Sequence, residues 1–162
     1  KRASSDMTTN DWSWDALRSK PIDELESLWT KPVDGELPRG VYRGGVLARI
    51  DHPTSRKPLW RWTERIGFEL TPFGIDFDRR LWFFFAPRLA VGRFEARWQG
   101  SRWRDTDAIG LRYHVSRLPG PIRGYLYDEV KPLSEEWMLG IGGINAERGE
   151  GDHFFFALER LR

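Results

Sequence analysis

The chain has 162 residues, 40% hydrophobic and 31% charged, the proportions of one folded domain rather than of a disordered segment. Its 26 basic and 24 acidic residues nearly cancel, and no basic run exceeds two residues, which argues against a nucleic-acid surface. The absence of cysteine excludes disulfides, thiolate metal sites and cysteine nucleophiles, and no apolar run approaches the ~20 residues of a membrane-spanning helix.

Residues 1–13 are polar and read as a flexible tail, leaving 14–162 as the single domain. The chain opens at Lys1, so Met7 is expected to be the natural start after a short cloning remnant, with a cleaved export signal as the alternative; the expected compartment is the cytoplasm. Ile22, Leu25, Leu28 and Trp29 recur at helical spacing behind Pro21, with Asp23, Glu24 and Glu26 near the start. This predicts a helix over 21–30, with an earlier turn around Trp12–Arg18.

After Pro38, short apolar stretches alternate with turn residues. Gly40–Ile50, Gly74–Phe77 and Leu81–Ala86 read as strands, and Trp60–Leu70 as a strand or short helix. Val91–Gln99 alternates Phe94, Ala96 and Trp98 with Arg93, Glu95, Arg97 and Gln99, the pattern of a half-buried strand. Ala108–Ser116 does the same, with Ile109, Leu111, Tyr113 and Val115 on one face and Arg112, His114 and Ser116 on the other. Leu118-Pro119-Gly120-Pro121 is a break. Gly124–Val130, Trp137–Ile144 and His153–Leu158 complete about eight strands with no helical crossover. The fold expected is mainly β: an antiparallel barrel behind a short N-terminal helix, closed because closure removes exposed edges.

Gly40-Val41-Tyr42-Arg43-Gly44, placed after a helix and a Leu-Pro, is similar to the G-x-W-x-G signature of a bacterial lipocalin-like family, with Tyr42 where that family has Trp. Tyr127–Leu133, Met138-Leu139-Gly140 and Phe154–Arg160 resemble its closing strands. The resemblance implies a calycin-type barrel with an inner cavity for a small apolar molecule. A more limited resemblance, an early glycine-rich strand and a histidine beside the last strand, is to the haem-binding nitrobindin-like barrels, and it implies His153 as a haem ligand.

Twenty-three aromatic residues, nine of them Trp, must be housed, and each large ring buries about 150–250 Å². Trp60, Trp62, Trp82, Trp98 and Trp103 are the expected wall material. Small Ala96 between Phe94 and Trp98 leaves room beside it that a solid core tends to fill. The candidate ligand contacts are therefore Tyr42, Trp82, Phe84, Trp98, Arg112, Tyr113 and His114. The function expected is binding of a small apolar or amphipathic molecule, without nucleic acid and without a cofactor. The alternatives are a small barrel isomerase or cyclase acting on a hydrophobic substrate, and a haem protein. His52, His114 and His153 show no metal-ligand spacing. Gly140-Ile141-Gly142-Gly143 lacks the Lys-Ser/Thr of a phosphate loop and reads as a bulged strand. Asp76 with Asp78, Asp105 with Asp107, and Asp128 with Glu129 read as solvated pairs near turns, and Ser101, Ser116 and Ser134 lack the setting of a nucleophile.

Overall fold

A strand that is apolar on alternate residues must hide one face from water and pair both edges. The computed structural model describes residues 12–50, 72–123, 126–144 and 154–162. Within them, α1 (Trp14–Arg18) and α2 (Ile22–Thr30) precede β1 (Val41–Arg49), β2 (Phe73–Asp76), β3 (Leu81–Phe84), β4 (Ala90–Arg93), β5 (Glu95–Gly100) and β6 (Asp107–Arg112). A single helical turn, α3 (Gly120–Arg123), leads into β7 (Leu126–Pro132), β8 (Trp137–Ile144) and β9 (Phe154–Arg160). The expected strand or helix at Trp60–Leu70 lies outside the described residues.

All pairings are antiparallel, in the order β4-β3-β2-β1-β9-β8-β7-β6-β5. The two outer strands, β4 and β5, are consecutive in the chain with only Phe94 between them. What reads in the sequence as one strand, Val91–Gln99, is thus two. Its first part pairs with β3 and its second with β6, and this covalent link brings the sheet round into a nearly closed barrel. Phe94 anchors the change of partner. Its N–H donates to the Arg80 carbonyl at 3.1 Å, and its ring packs inward against Phe77 and Tyr113 with centroids 5.8 and 6.1 Å away.

The barrel interior holds the larger apolar cluster. It includes Tyr42 from β1, Phe73 and Ile75 from β2, Trp82 from β3, Ile109 and Leu111 from β6, Val130 from β7, Met138 from β8, and Phe154, Phe156 and Leu158 from β9. Both helices lie outside. Leu25 and Trp29 of α2 cover Ala108, Leu139, Ile141 and Phe155, while Leu17 of α1 meets Trp137 and Ala157. A β-bulge between Val46 and Ala48 lets Leu47 and Ala48 both pack beneath the helices. Polar contacts hold the helices in place. Trp14 Nε1 donates to Glu159 at 2.6 Å, Arg104 grips Glu26 with two bonds of 2.7 and 2.6 Å, and Lys131 donates to the Trp29 and Lys31 carbonyls at the end of α2. That ammonium, on a residue only 1% exposed, satisfies carbonyls that the helix end leaves open.

The glycines of the early signature have separate jobs. Gly40 sits at φ +94°, a left-handed conformation that L side chains rarely adopt, and its N–H donates to Asp78 at 3.0 Å. At Gly44 a Cβ would overlap the Phe73 ring.

Three sequence expectations need correcting. The Gly140–Gly143 stretch is not bulged, since β8 pairs residue for residue with both neighbours. Gly140 and Gly142 are needed for space: a Cβ at the first would overlap the Phe156 ring, and at the second the Asp128 carboxyl. Val115 does not face the core but is exposed, because β6 stops at Arg112 and the chain turns, Ser116 N–H donating to the Tyr113 carbonyl. The packed chain also begins before residue 14. Trp12 packs beside Leu17 and Trp137, and Ser13 caps α1 by accepting from Ala16 N–H at 3.1 Å.

Candidate functional site

On β7 the alternation runs Leu126, Asp128, Val130 toward the interior and Tyr127, Glu129, Lys131 toward the outside. A carboxyl therefore enters an interior lined, among the described residues, by the aromatic and aliphatic side chains of the larger cluster. Asp128 stands opposite Leu111 on β6 and Gly142 on β8. Tyr113, one residue past the end of β6, donates its hydroxyl to Asp128 Oδ2 at 2.5 Å. The Gly143 amide also donates to this carboxyl. The Tyr113 ring meets Trp82 edge to face at 6.1 Å, and Trp82 meets Phe84 at 5.0 Å.

Burial pushes Asp128 up to about 7, against the two hydrogen bonds, which favour the charged form. By accessible surface the residue is only half-buried, yet its carboxyl is deeply enclosed among the strands. The enclosure governs its titration, and the remaining exposure tempers its energetic weight. Tyr113 is pushed well above the ordinary tyrosine value, first by burial and then by the adjacent carboxylate that takes its hydrogen bond. Near neutral pH the pair can thus present either a carboxylate acceptor or a carboxylic acid, with a hydroxyl that stays protonated.

A second polar point lies in the same interior. Trp98 Nε1 is buried and has no hydrogen-bond partner among the described residues. Residues 33–39 carry neither helix nor strand and line two clefts. The first cleft, about 680 Å³, reaches Tyr42 and Met138 of the interior between Arg39, Arg160, Glu36 and Glu135. The second, about 490 Å³, reaches Phe77 and Trp98 beside Leu37, Asp78 and Arg80.

The residues singled out from sequence divide accordingly. Tyr42, Trp82 and Tyr113 belong to the buried interior cluster, and Phe84, Trp98 and Ala96 pack, partly buried, against it. Arg112 and His114 do not join them. Arg112 lies on the outer face opposite Glu95 and Tyr127, and His114, its side chain 49% exposed, is 3.3 Å from Glu95. His52 and His153, and with them the haem reading, lie outside the described residues, as do Trp60 and Trp62. Asp76 and Asp78 lie at the β2–β3 turn, accepting from the Arg79 and Gly40 amides, but Asp76 is not solvated as expected: it closes β2 and is buried, while Asp78 is exposed. Asp128 and Glu129 are not a turn pair. They lie within β7 on opposite faces, and Glu129 is fully buried outside the barrel, where it accepts from Ser101 Oγ, the Arg102 amide and Tyr127 Oη. The signal for Asp128 was present in the alternation Leu126-x-Asp128-x-Val130. Among the described residues no group of three His, Asp or Glu side chains comes together as metal ligands.

No family model matches the chain, and neither does any curated protein. Among solved structures, the chain is similar to a protein from Thermomonospora curvata, with 18% identity over 88% of this chain and 89% of that one, and a TM-score of 0.49.

Proposed function

We propose that the barrel binds one small, mostly apolar molecule carrying a hydrogen-bonding group. The observation that carries this reading is the Tyr113–Asp128 pair inside a ring-lined interior. A barrel of about this strand number can hold one small ligand, and such sites combine apolar walls with a few placed polar groups. A polar pair in a core that needed only packing would be a cost with no return in stability, since apolar residues of similar volume serve as well. Trp98 Nε1, which has no partner among the described residues, supports the same reading, because it offers a donor to a ligand acceptor. The ligand body would lie against Trp82, Phe84 and Phe156, with its polar group at Tyr113 and Asp128. The lipocalin-like resemblance of the glycine-rich first strand implies the same use.

The test is titration with an apolar fluorescent probe, read by quenching of tryptophan emission. Micromolar binding is expected in the wild type, and Ala96→Phe should block it in a protein that still folds, because Ala96 packs partly buried against the interior cluster. No binding by the wild type, or undiminished binding by a folded Ala96→Phe, refutes the reading.

The titration of Asp128 near neutrality favours one second reading, a barrel enzyme in which this carboxyl moves a proton on a hydrophobic substrate. The two readings separate on Asp128→Asn. A binder keeps most of its affinity, whereas an enzyme keeps affinity and loses turnover.

A further inference from the structure

We propose that the end of the barrel formed by the β3–β4 turn and the segment after β6 docks on an anionic lipid bilayer. Among the described residues five large apolar side chains are exposed, and three belong to this end: Phe85 at 69%, Leu89 at 51% and Val115 at 42%. The two segments are neighbours. A Cβ placed on Gly92 of β4 would stand 3.2 Å from Ser116 Oγ and 3.4 Å from Leu118 Cδ1.

Phe85 is held outward by its backbone. Its φ is +60°, which a bulky residue adopts only where the surrounding structure imposes it, and its N–H is committed to the Pro72 carbonyl at 2.8 Å. The other turn is braced by Arg123, which donates to the His114 and Ser116 carbonyls at 3.4 and 3.3 Å.

Charge identifies the partner. Residues 84–93 contain Arg88 and Arg93, residues 113–123 contain His114, Arg117 and Arg123, and neither stretch contains an acid. Arg88, Arg93 and Arg117 are exposed. Among the described residues Glu95 adjoins this end, 3.3 Å from His114. Apolar tips on arginine-bearing segments suit the headgroup boundary, where rings and aliphatic chains enter the acyl region and arginines meet lipid phosphates and carboxylates. Three apolar tips on two turns fall well short of the roughly 20–30 residues a side of a stable protein interface.

The experiment is co-sedimentation of the whole chain with vesicles of phosphatidylcholine alone, or with about a third phosphatidylserine. The wild type should pellet with the anionic vesicles only, and about 1 M NaCl should release it. Phe85→Gly removes the ring while suiting the left-handed backbone, so the fold should persist by circular dichroism, and partitioning should fall about tenfold. Arg88→Glu with Arg117→Glu should fall at least as far. The proposal is overturned if the wild type ignores anionic vesicles, or if either variant partitions like the wild type. It is also overturned if the wild type instead forms dimers that Phe85→Gly dissolves.

Discussion

Replacing Asp128 by Asn should remove most of a pH dependence of stability that the wild type displays. In the unfolded chain this carboxyl titrates near 3.8, and in the barrel near 7, because burial disfavours its charged form. Between those values the native state binds the proton more tightly than the unfolded chain. Stability therefore falls as pH rises through this window and is flat above it. The separation is about three pH units at about 1.4 kcal/mol each, an upper bound of about 4 kcal/mol. The half-exposed residue reduces this to about 2 kcal/mol through solvent screening. For a domain of this size that is a loss of about 4–8 °C in Tm between roughly pH 4 and pH 8. Asn suits the site without a charge. Its Oδ1 can accept from the Gly143 amide and its Nδ2 can donate to Tyr113 Oη, since a hydroxyl also accepts. Thermal unfolding followed by circular dichroism at several pH values gives the comparison. The difference between the two proteins isolates Asp128 from every other titrating group. Parallel Tm-versus-pH curves for wild type and Asp128→Asn would refute the account of a deeply enclosed carboxyl.

Tyr113→Phe withdraws the hydroxyl donated to Asp128, so the carboxyl should titrate still higher, and at about pH 8 the protein should lose about 1–3 kcal/mol in urea unfolding. A carboxyl resonance that titrates as in the wild type would contradict this. Gly142→Ala sets a methyl where the Asp128 carboxyl lies, and should abolish probe quenching while costing about 1–3 kcal/mol. Lys131→Met leaves the Trp29 and Lys31 carbonyls and Thr106 Oγ1 without their donor, so α2 should exchange its amide hydrogens faster than the barrel, with a loss of about 3 kcal/mol. Uniform exchange across helix and barrel would show that the lysine is not what fastens α2.

The barrel was legible in the chain because its signals are local. Phe94, Ala96 and Trp98 alternate with charged neighbours, Ile109, Leu111 and Tyr113 follow suit, and Leu25 and Trp29 fall one helical turn apart. That periodicity assigns Tyr42, Trp82, Phe84, Trp98 and Tyr113 to apolar faces, and the structure gathers all five into one interior. Periodicity says which residues share a face, but not what covers that face. Arg112 and His114 share a face of their own, and only the outward course of that face and the end of β6 put them away from the interior. Val115 continues the pattern of Tyr113 and is nonetheless exposed, because the chain turns first. The splitting of one apparent strand at Phe94 depends on Arg80, far from it in the alternation but next to it in space. Asp128 marks the boundary most clearly. Its side of β7 could be read from Leu126 and Val130, but its proton affinity could not. That property comes from the enclosing strands, from Tyr113 fifteen residues earlier and from Gly143 fifteen residues later, and desolvation and hydrogen bonding depend on neighbours that only the closed barrel brings together.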